Sequence, residues 1–210
     1  MSGKKRHATI IGVPLDYGAS KKGASGGPAA VRRANLVEGL EALDLEVTDA
    51  GDLAVPKIAP VAKGKLKNGA AILKVCQNLE KQAYEAVANG SIPITLGGDH
   101  SLAVGSVSGV SRAFRDKGRK IGLIWVDAHA DINTPDSSPT GNVHGMPLAH
   151  LLGMGHKDFA RLGGFSPKID PRNVVLLGVR DVDAAEAVNI RKSGIRVFTI
   201  GVGSLSGELI

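Results

Sequence analysis

Three side chains of types that bind metal ions follow one apolar segment of the sequence. The segment at 121–126, IGLIWV, is typical of a buried strand and runs directly into Asp127, His129 and Asp131. Residues two apart in an extended chain point to the same side, so we expect these three side chains to share one face at the end of the strand. Carboxylate and imidazole donors without a thiolate favour Mn²⁺ or Zn²⁺, and the pattern does not choose between them.

A second apolar segment brings a fourth candidate ligand. SIPITL at 91–96 is followed by two glycines, Asp99 and His100. Glycine lets the backbone turn tightly, so we expect His100 to point into the same crevice, with two neighbouring parallel strands supplying the cluster. Asp99 is expected to point the other way, as a supporting or structural carboxylate. A carboxylate such as Asp127 can bridge two ions, and a water between them loses its proton near neutral pH, so the pattern indicates hydrolysis.

For a single Asp or His at the end of a strand, capping of the next loop or helix is the better interpretation. Four such residues at the ends of two predicted strands favour a metal site, because several independent features agree.

Apolar runs bounded by turn residues alternate with helical patterns along the chain. The predicted strands are 8–13, 45–50, 91–96, 121–126, 173–179 and 195–200. The predicted helices are one that begins at Pro28, one along the apolar pattern from Leu66 to Val87, 101–117 and 183–193. This alternation predicts an α/β fold, with right-handed crossovers and a mostly parallel sheet covered on both faces.

The composition narrows the class of protein. The chain has 210 residues, 43% of them hydrophobic and 3% aromatic, which predicts one domain with an aliphatic core. The net charge is +6, but the basic residues are scattered and few aromatics could stack on bases, which argues against nucleic-acid binding. The single cysteine, Cys76, is expected in the core. The sequence has no apolar run of signal or membrane length, so we expect a cytoplasmic protein.

Three segments together resemble the arginase branch of the ureohydrolase family: GGDHS at 97–101, DAHAD at 127–131 and the loop SPTGNVHGMP at 138–147. The similarity continues through LGVRDVDAAE at 177–186. The resemblance implies a three-layer α/β/α fold with a mostly parallel central sheet, and a site for two manganese ions. It also implies hydrolysis of the small molecule L-arginine to L-ornithine and urea, a reaction of arginine metabolism and the urea cycle. Members of the family are usually homo-oligomers, so the resemblance implies a homo-oligomer as well.

The resemblance also implies a role for each site residue. His100, Asp127 and Asp131 are then ligands of one manganese ion, and Asp127 bridges to a second ion held by His129. His144 corresponds to a histidine that shuttles protons, and its alternative is a hydrogen-bonded surface histidine. The residues expected to contact the amino-acid end of the substrate are Asn133, Ser138, Thr140, Asn142, Asp183 and Glu186.

Asp183 and Glu186 have a second interpretation, because their spacing also predicts a capping box at the start of a helix. The two roles are compatible. His7, His150 and His156 match no role in the family, and we expect them to be structural or exposed.

The last part of the sequence departs from the family pattern. Arginases carry a later Ser-x-Asp-x-Asp-x-x-Asp-Pro segment that completes the metal site, then a glutamate that binds the guanidinium, and this sequence contains neither. We therefore predict one arginase-like domain at 1–200 with later strands missing, an atypical tail at 201–210, and an exposed sheet edge. Three functions stay open: an arginase, another ureohydrolase such as agmatinase or guanidinobutyrase, or a catalytically inactive arginase-like protein.

Overall fold

The computed structural model describes residues 5–59, 61 and 63–197. Its strands are β1 Arg6–Val13, β2 Leu45–Asp52, β3 Ser91–Gly97, β4 Leu123–Val126, β5 Val174–Leu177 and β6 Arg196–Val197. Its α-helices are α1 Gly27–Arg33, α2 Leu36–Glu41, α3 Gly69–Ala88, α4 Ala103–Arg115, α5 Pro147–Leu151, α6 Lys157–Ala160 and α7 Ala184–Ser193. The tail predicted at 201–210 lies outside the described residues.

Each predicted strand has a counterpart in the structure, although several are shorter than predicted. The strand predicted at 195–200 is described only at Arg196–Val197. The helix predicted at 101–117 is divided into a 3₁₀ turn at His100–Leu102 and the helix α4. The short helices α2, α5 and α6 were not predicted, because four to six residues are too few to show a helical period.

The strands form two parallel sheets of three strands each. The first sheet has the order β2-β1-β3 and the second sheet has the order β4-β5-β6. No pairing joins β3 to β4 within the described ranges, so the prediction that these two strands are neighbours is wrong. Strands that follow one another in sequence often lie side by side, but their order in the sheet depends on which other strands are present.

The first sheet and the two longest helices share one core. Buried residues of α3 and α4 pack with those of β1, and the two helices lie close together. The close approach depends on two glycines of α4: a Cβ atom at Gly105 would lie 2.7 Å from the Cys76 carbonyl oxygen, and one at Gly109 only 2.3 Å from that of Glu80. Cys76 is fully buried, as predicted.

Within the described residues, strand β4 of the second sheet is covered on one face only. Trp125 of β4 is 4% exposed and belongs to a core with α5 and β5, whereas Ile124 and Val126 on the other face are each 70% exposed. The prediction that both faces are covered is therefore wrong for β4. None of the described helices is both long enough and apolar enough to cross a membrane.

Candidate metal centre and substrate loop

Three of the four predicted metal ligands meet between the two sheets. His100 follows β3, whereas Asp127 and Asp131 follow β4. The His100 Nδ1 atom lies 2.9 Å from Asp127 Oδ2 and 2.8 Å from Asp131 Oδ2. One ligand atom from each residue lies within 4.8 Å of the other two, and we call these three residues the ligand cluster. One imidazole nitrogen and two carboxylate oxygens form a donor set that suits Mn²⁺.

The buried side chain of Asp99 holds His100 in place. One carboxylate oxygen accepts a hydrogen bond from the Ser101 N–H at 3.0 Å, which caps the 3₁₀ turn, and the other accepts one from the Gly18 N–H at 2.7 Å. A Cβ atom at Gly18 would lie 2.3 Å from Asp99, and one at Gly98 would lie 2.4 Å from the Leu15 carbonyl oxygen. Asp99 thus has the supporting contacts expected for it, and both glycines are required by close approach.

Asp131 reaches the ligand cluster through an unusual backbone conformation. Its φ angle is +51°, in the left-handed region that aspartate tolerates better than most residues. Because β4 ends at Val126, the alternation of an extended chain does not continue through 127–131. The expectation that Asp127, His129 and Asp131 share one face is therefore wrong.

His129 lies on the far side of Asp127 from His100. Its Nδ1 atom is 3.5 Å from Asp127 Oδ1, and its Nε2 atom is 3.5 Å from Asp181 Oδ2. Asp127 Oδ1 also accepts a hydrogen bond from the His129 N–H at 2.9 Å. Asp127 therefore presents one oxygen to His100 and the other to His129, which is the arrangement that a carboxylate between two ions needs.

The surroundings of His100 favour its charged form in this structure. Burial lowers the pKa of His100, but hydrogen bonds and charges from Asp131 and Asp127 raise it more, so the net shift is upward. The ring stacks on Trp125, with centroids 4.4 Å apart. The sequence analysis did not single out Trp125, although its position two residues before Asp127 on a predicted strand places it on the same face.

The predicted substrate residues of the 133–142 loop make hydrogen bonds that order this loop. Asn133 is buried and donates from Nδ2 to Asp183 Oδ2 at 2.7 Å. Ser138 accepts a bond from the Gly141 N–H at 3.0 Å, and Thr140 accepts one from the Asn142 N–H at 3.2 Å. Asn142 is buried and donates to Ser20 Oγ at 2.9 Å.

His144 lies in a 3₁₀ turn at Val143–Gly145 that packs against the turn containing His100. The His144 N–H donates to the Gly18 carbonyl oxygen at 3.2 Å, and Gly18 is the residue that bonds Asp99. The side chain of His144 is partly buried. The two turns that carry His100 and His144 are therefore attached to the same backbone residue.

Asp183 and Glu186 form the capping box that their spacing predicts. Asp183 Oδ1 accepts bonds at 2.8 Å from the N–H groups of Ala185 and Glu186, and the Glu186 carboxylate accepts one from the Asp183 N–H at 3.4 Å. The other Glu186 oxygen accepts a bond from the Ile132 N–H at 3.2 Å. Burial raises the pKa of Glu186 despite these bonds. The start of α7 thus fixes the chain just after Asp131.

Asn189 was missed by the sequence analysis. Its side chain donates to the Ile132 carbonyl oxygen at 3.0 Å and to Ser137 Oγ at 3.1 Å, so it also holds the loop. It lies three residues after Glu186 on the same face of α7, and this spacing could have suggested it.

The other histidines have structural surroundings, as predicted. His150 is fully buried, stacks on Phe159 and accepts a hydrogen bond from the His156 N–H. Burial lowers the pKa of His150 to about 3. His156 caps α6, and His7 bonds Thr48 on the surface.

A sequence profile described as Arginase family matches residues 6–202. The chain belongs to the arginase family. It is 42% identical to the arginase of Bacillus caldovelox over 195 residues, a match that covers 91% of this chain and 64% of that protein. It is 43% identical to an arginase of Staphylococcus aureus strain COL over 202 residues, covering 94% of this chain and 65% of the relative.

Solved arginase structures have the same fold. The native Bacillus caldovelox arginase superposes with a TM-score of 0.87 at 41% identity, covering 93% of this chain and 65% of that one. The Entamoeba histolytica arginase in complex with L-ornithine superposes with a TM-score of 0.83 at 30% identity, covering 95% of this chain and 66% of that one. The three-layer α/β/α prediction is thereby confirmed. The chain spans 64% of the length of the first relatives that it matches.

Proposed function

We propose that this chain provides the histidine-aspartate part of a manganese site and the amino-acid-binding loop for hydrolysis of L-arginine to L-ornithine and urea. The observation that carries the proposal is the ligand cluster, formed by His100, Asp127 and Asp131 at the ends of two strands. It is supported by the arginase names of relatives that are about 40% identical.

The residues of the site fit divalent metal ions. His100, Asp127 and Asp131 would hold one ion, and His129 together with Asp127 would hold a second. Manganese bound there would polarise the guanidinium and supply a water acidified towards neutral pH. The left-handed backbone of Asp131 also supports a functional site, because strained conformations concentrate where the chemistry needs them.

The protein side chains would bind the substrate and carry protons. We assign proton transfer to the leaving amine to His144, since imidazole is the side chain that most often acts as a general acid or base. Asn133, Ser138, Thr140 and Asn142 would bind the α-carboxylate and α-amino end of arginine, and Asp183 its α-ammonium group. The network through Asp183, Glu186 and Asn189 would keep this loop ordered before the substrate arrives.

The 138–147 loop favours arginine over agmatine, which has no α-carboxylate. Side-chain hydroxyl and amide groups at the site can donate hydrogen bonds to a carboxylate, and an agmatine complex would leave them unpaired. We expect kcat/KM for arginine to exceed that for agmatine by a factor of about 100 or more.

The test incubates the purified chain with Mn²⁺ and L-arginine, and measures urea together with bound manganese per chain. We expect urea and two manganese ions per chain, with neither in Asp127→Asn. Asp116→Asn is the matched control, since Asp116 lies at the end of α4 opposite to His100 and accepts a hydrogen bond from the Tyr84 hydroxyl. The control should retain both properties.

Each alternative function gives a different result. Preferential hydrolysis of agmatine or guanidinobutyrate would assign another ureohydrolase. A folded chain that binds at most one ion and releases no urea would show that the chain by itself is catalytically inactive, and would refute the proposed activity.

A further inference from the structure

We propose that a cavity at the amino ends of β4 and β5 binds a small organic phosphate, meaning a phosphate monoester that carries an apolar or aromatic group. This site is separate from the ligand cluster, which lies beyond the carboxyl end of β4. The proposal does not rest on arginine hydrolysis, so its test is independent of whether the chain releases urea.

The cavity has a volume of about 540 Å³, within the range of pockets that hold small molecules. It lies where α4 ends and the chain enters β4, and it is bordered by the segment that precedes β5. We call it the basic cavity, and the residues that define it are Arg115, Arg119, Lys120, Ile121, Phe165 and Lys168. The four residues of β4, which span about 13 Å, separate it from Asp127. A ligand in the basic cavity would therefore not touch the metal ligands.

The basic cavity carries an excess of positive charge. Four of its side chains are cations, and the one carboxylate in its wall, Asp170, is paired with Arg172 at 2.6 Å. Two nearby carboxylates also have other partners: Glu80 pairs with Arg112 at 2.9 Å, and Asp116 accepts a hydrogen bond from a tyrosine of α3. In the described part of the chain, no carboxylate forms an ion pair with a cation of the basic cavity. Such a concentration of one charge attracts a ligand of the opposite charge.

Lys168 is the buried cation of the basic cavity. It is 5% exposed, and its Nζ atom donates hydrogen bonds to the carbonyl oxygens of Ala160, at 2.7 Å, and of Phe165. An ammonium has three N–H groups, so these two bonds leave one for a ligand. Burial lowers the pKa of Lys168 to about 8, because its two carbonyl partners carry no full negative charge. A bound anion would stabilise the charged form of this lysine.

The apolar wall of the basic cavity indicates that the ligand is more than a bare anion. The Phe165 ring lies against the Arg115 guanidinium, 4.5 Å from its centroid, and against Lys168 Nζ at 4.3 Å. This contact holds the guanidinium in place, while the N–H groups at its edge can still donate to an anion. Ile121 and Pro167 extend the apolar surface. Cations beside an apolar wall fit an anionic group that is attached to an apolar one.

The cations favour a phosphate monoester over a carboxylate. A phosphate monoester carries a charge of about −1.5 to −2 at neutral pH and has three acceptor oxygens, whereas a carboxylate carries one charge on two oxygens. Arg115 approaches the basic cavity from the end of α4, and Arg119 approaches it from the connection to β4. Two guanidinium groups on different segments can therefore contact different oxygens of one phosphate.

The experiment titrates the purified chain with phenyl phosphate near neutral pH. Isothermal titration calorimetry measures the affinity, and NMR measures the chemical shifts of the backbone amides. We expect a Kd of about 1 mM or lower, with shift changes concentrated at 115–121 and 165–173. Inorganic phosphate and benzoate should each bind about tenfold or more weakly, since the first lacks the apolar group and the second carries only one charge.

Single substitutions test where phenyl phosphate binds. Arg115→Gln and Arg119→Gln should each weaken binding by about tenfold or more, because each removes a charged hydrogen-bond donor. Arg33→Gln is the matched control: Arg33 is exposed at the end of α1 as Arg115 is at the end of α4, and the net charge changes equally. Its affinity should be that of the unmodified chain. Asp127→Asn, which alters only the ligand cluster, should also leave the affinity unchanged.

Five results would overturn the proposal. These are no binding at about 10 mM phenyl phosphate, shift changes confined to other elements, equal affinity for inorganic phosphate or benzoate, equal weakening by Arg33→Gln, or loss of binding in Asp127→Asn. The last result would place the phosphate at metal ions in the ligand cluster. Far-ultraviolet circular dichroism identifies any variant that fails to fold. Since Arg115 and Arg119 lie on different segments, the second variant still decides the question if the first misfolds.

Discussion

At the scale of single residues, the site depends on side chains held by neighbours on more than one element. Asp99 bonds both Gly18 and Ser101, and His100 contacts two carboxylates that follow another strand. The resulting positions are fixed before any ion binds, which lowers the cost of ordering ligands. Substitutions of these residues should therefore affect metal affinity more than the free energy of unfolding.

Replacing His100 with alanine should lower the affinity for Mn²⁺ by about 100-fold or more. Even residues that only support a ligand contribute about 10–100-fold, and we propose that His100 supplies a donor atom directly. Isothermal titration calorimetry with MnCl₂ measures the change. His7→Ala, which removes a histidine from the surface near β2, should bind like the unmodified chain. Equal affinities for all three proteins would contradict the assigned ligand.

The fully buried His150 predicts a loss of stability in acid. The pKa of His150 is about 3 in the folded chain and 6.5 in the ordinary case. Its contribution to the free energy of unfolding is therefore fully present above pH 6.5 and is lost as the pH falls towards 3. Between about pH 7.5 and about pH 5, this residue should lower the free energy of unfolding by about 2 kcal/mol. Urea unfolding at both pH values, compared with His150→Gln, isolates the effect. If the free energy of unfolding had the same pH dependence in both proteins, the prediction would be refuted.

At the scale of elements, α7 links its own capping to the order of the 133–142 loop. The Asp183 carboxylate uses one oxygen to cap the helix and the other to accept a bond from Asn133. Sequence reasoning predicted the cap from the Asp183 and Glu186 spacing. The link to Asn133 requires the tertiary structure, since the two residues are 50 positions apart.

Asp183→Ala should destabilise the chain by about 1–2 kcal/mol, because both the cap and the bond to Asn133 are lost. Asp183→Ser keeps a capping oxygen and should recover about half or more of that loss. Urea unfolding measures both. If Asp183 also binds substrate, the serine variant should raise KM for arginine while its stability is largely restored. A serine variant as unstable as the alanine variant would argue against the cap.

The contact between α3 and α4 predicts opposite results for two glycine substitutions. Gly109→Ala would place a methyl group 2.3 Å from the Glu80 carbonyl oxygen, and should cost about 1–3 kcal/mol through forced movement of the helices. Gly39→Ala is the control, since Gly39 lies in α2 with no atom near its Cβ position. It should be neutral or stabilising by up to about 1 kcal/mol. Equal effects in urea unfolding would show that the helices do not pack this closely.

At the scale of the whole molecule, the ligand cluster connects two sheets that share no strand pairing in the described residues. Manganese bound to His100 and Asp127 would tie them together, so binding should stabilise the folded chain. At a free Mn²⁺ concentration of 100 times Kd, we expect the free energy of unfolding to rise by about 2.7 kcal/mol. Thermal unfolding with and without MnCl₂ measures the shift in Tm. We expect Asp127→Asn to lose this shift. An equal shift in the variant would place the ion elsewhere.

The sequence by itself predicted a class of chemistry and determined most of the local structure. The apolar runs predicted the strands, because an apolar run and the turn residues at its two ends are local properties of the chain. The types of His100, Asp127, His129 and Asp131 indicated a metal site before any geometry was known. The capping box at Asp183 was likewise readable, since its partners are three residues apart.

Only the tertiary structure decided how these parts are arranged. It separated β3 from β4, put His129 on the far side of Asp127, and left Ile124 and Val126 uncovered. The physical reason is that the lateral order of strands and the covering of their faces depend on contacts between distant segments. A pattern within one segment indicates which side chains are apolar enough to be buried, but not which other segment of the chain covers them.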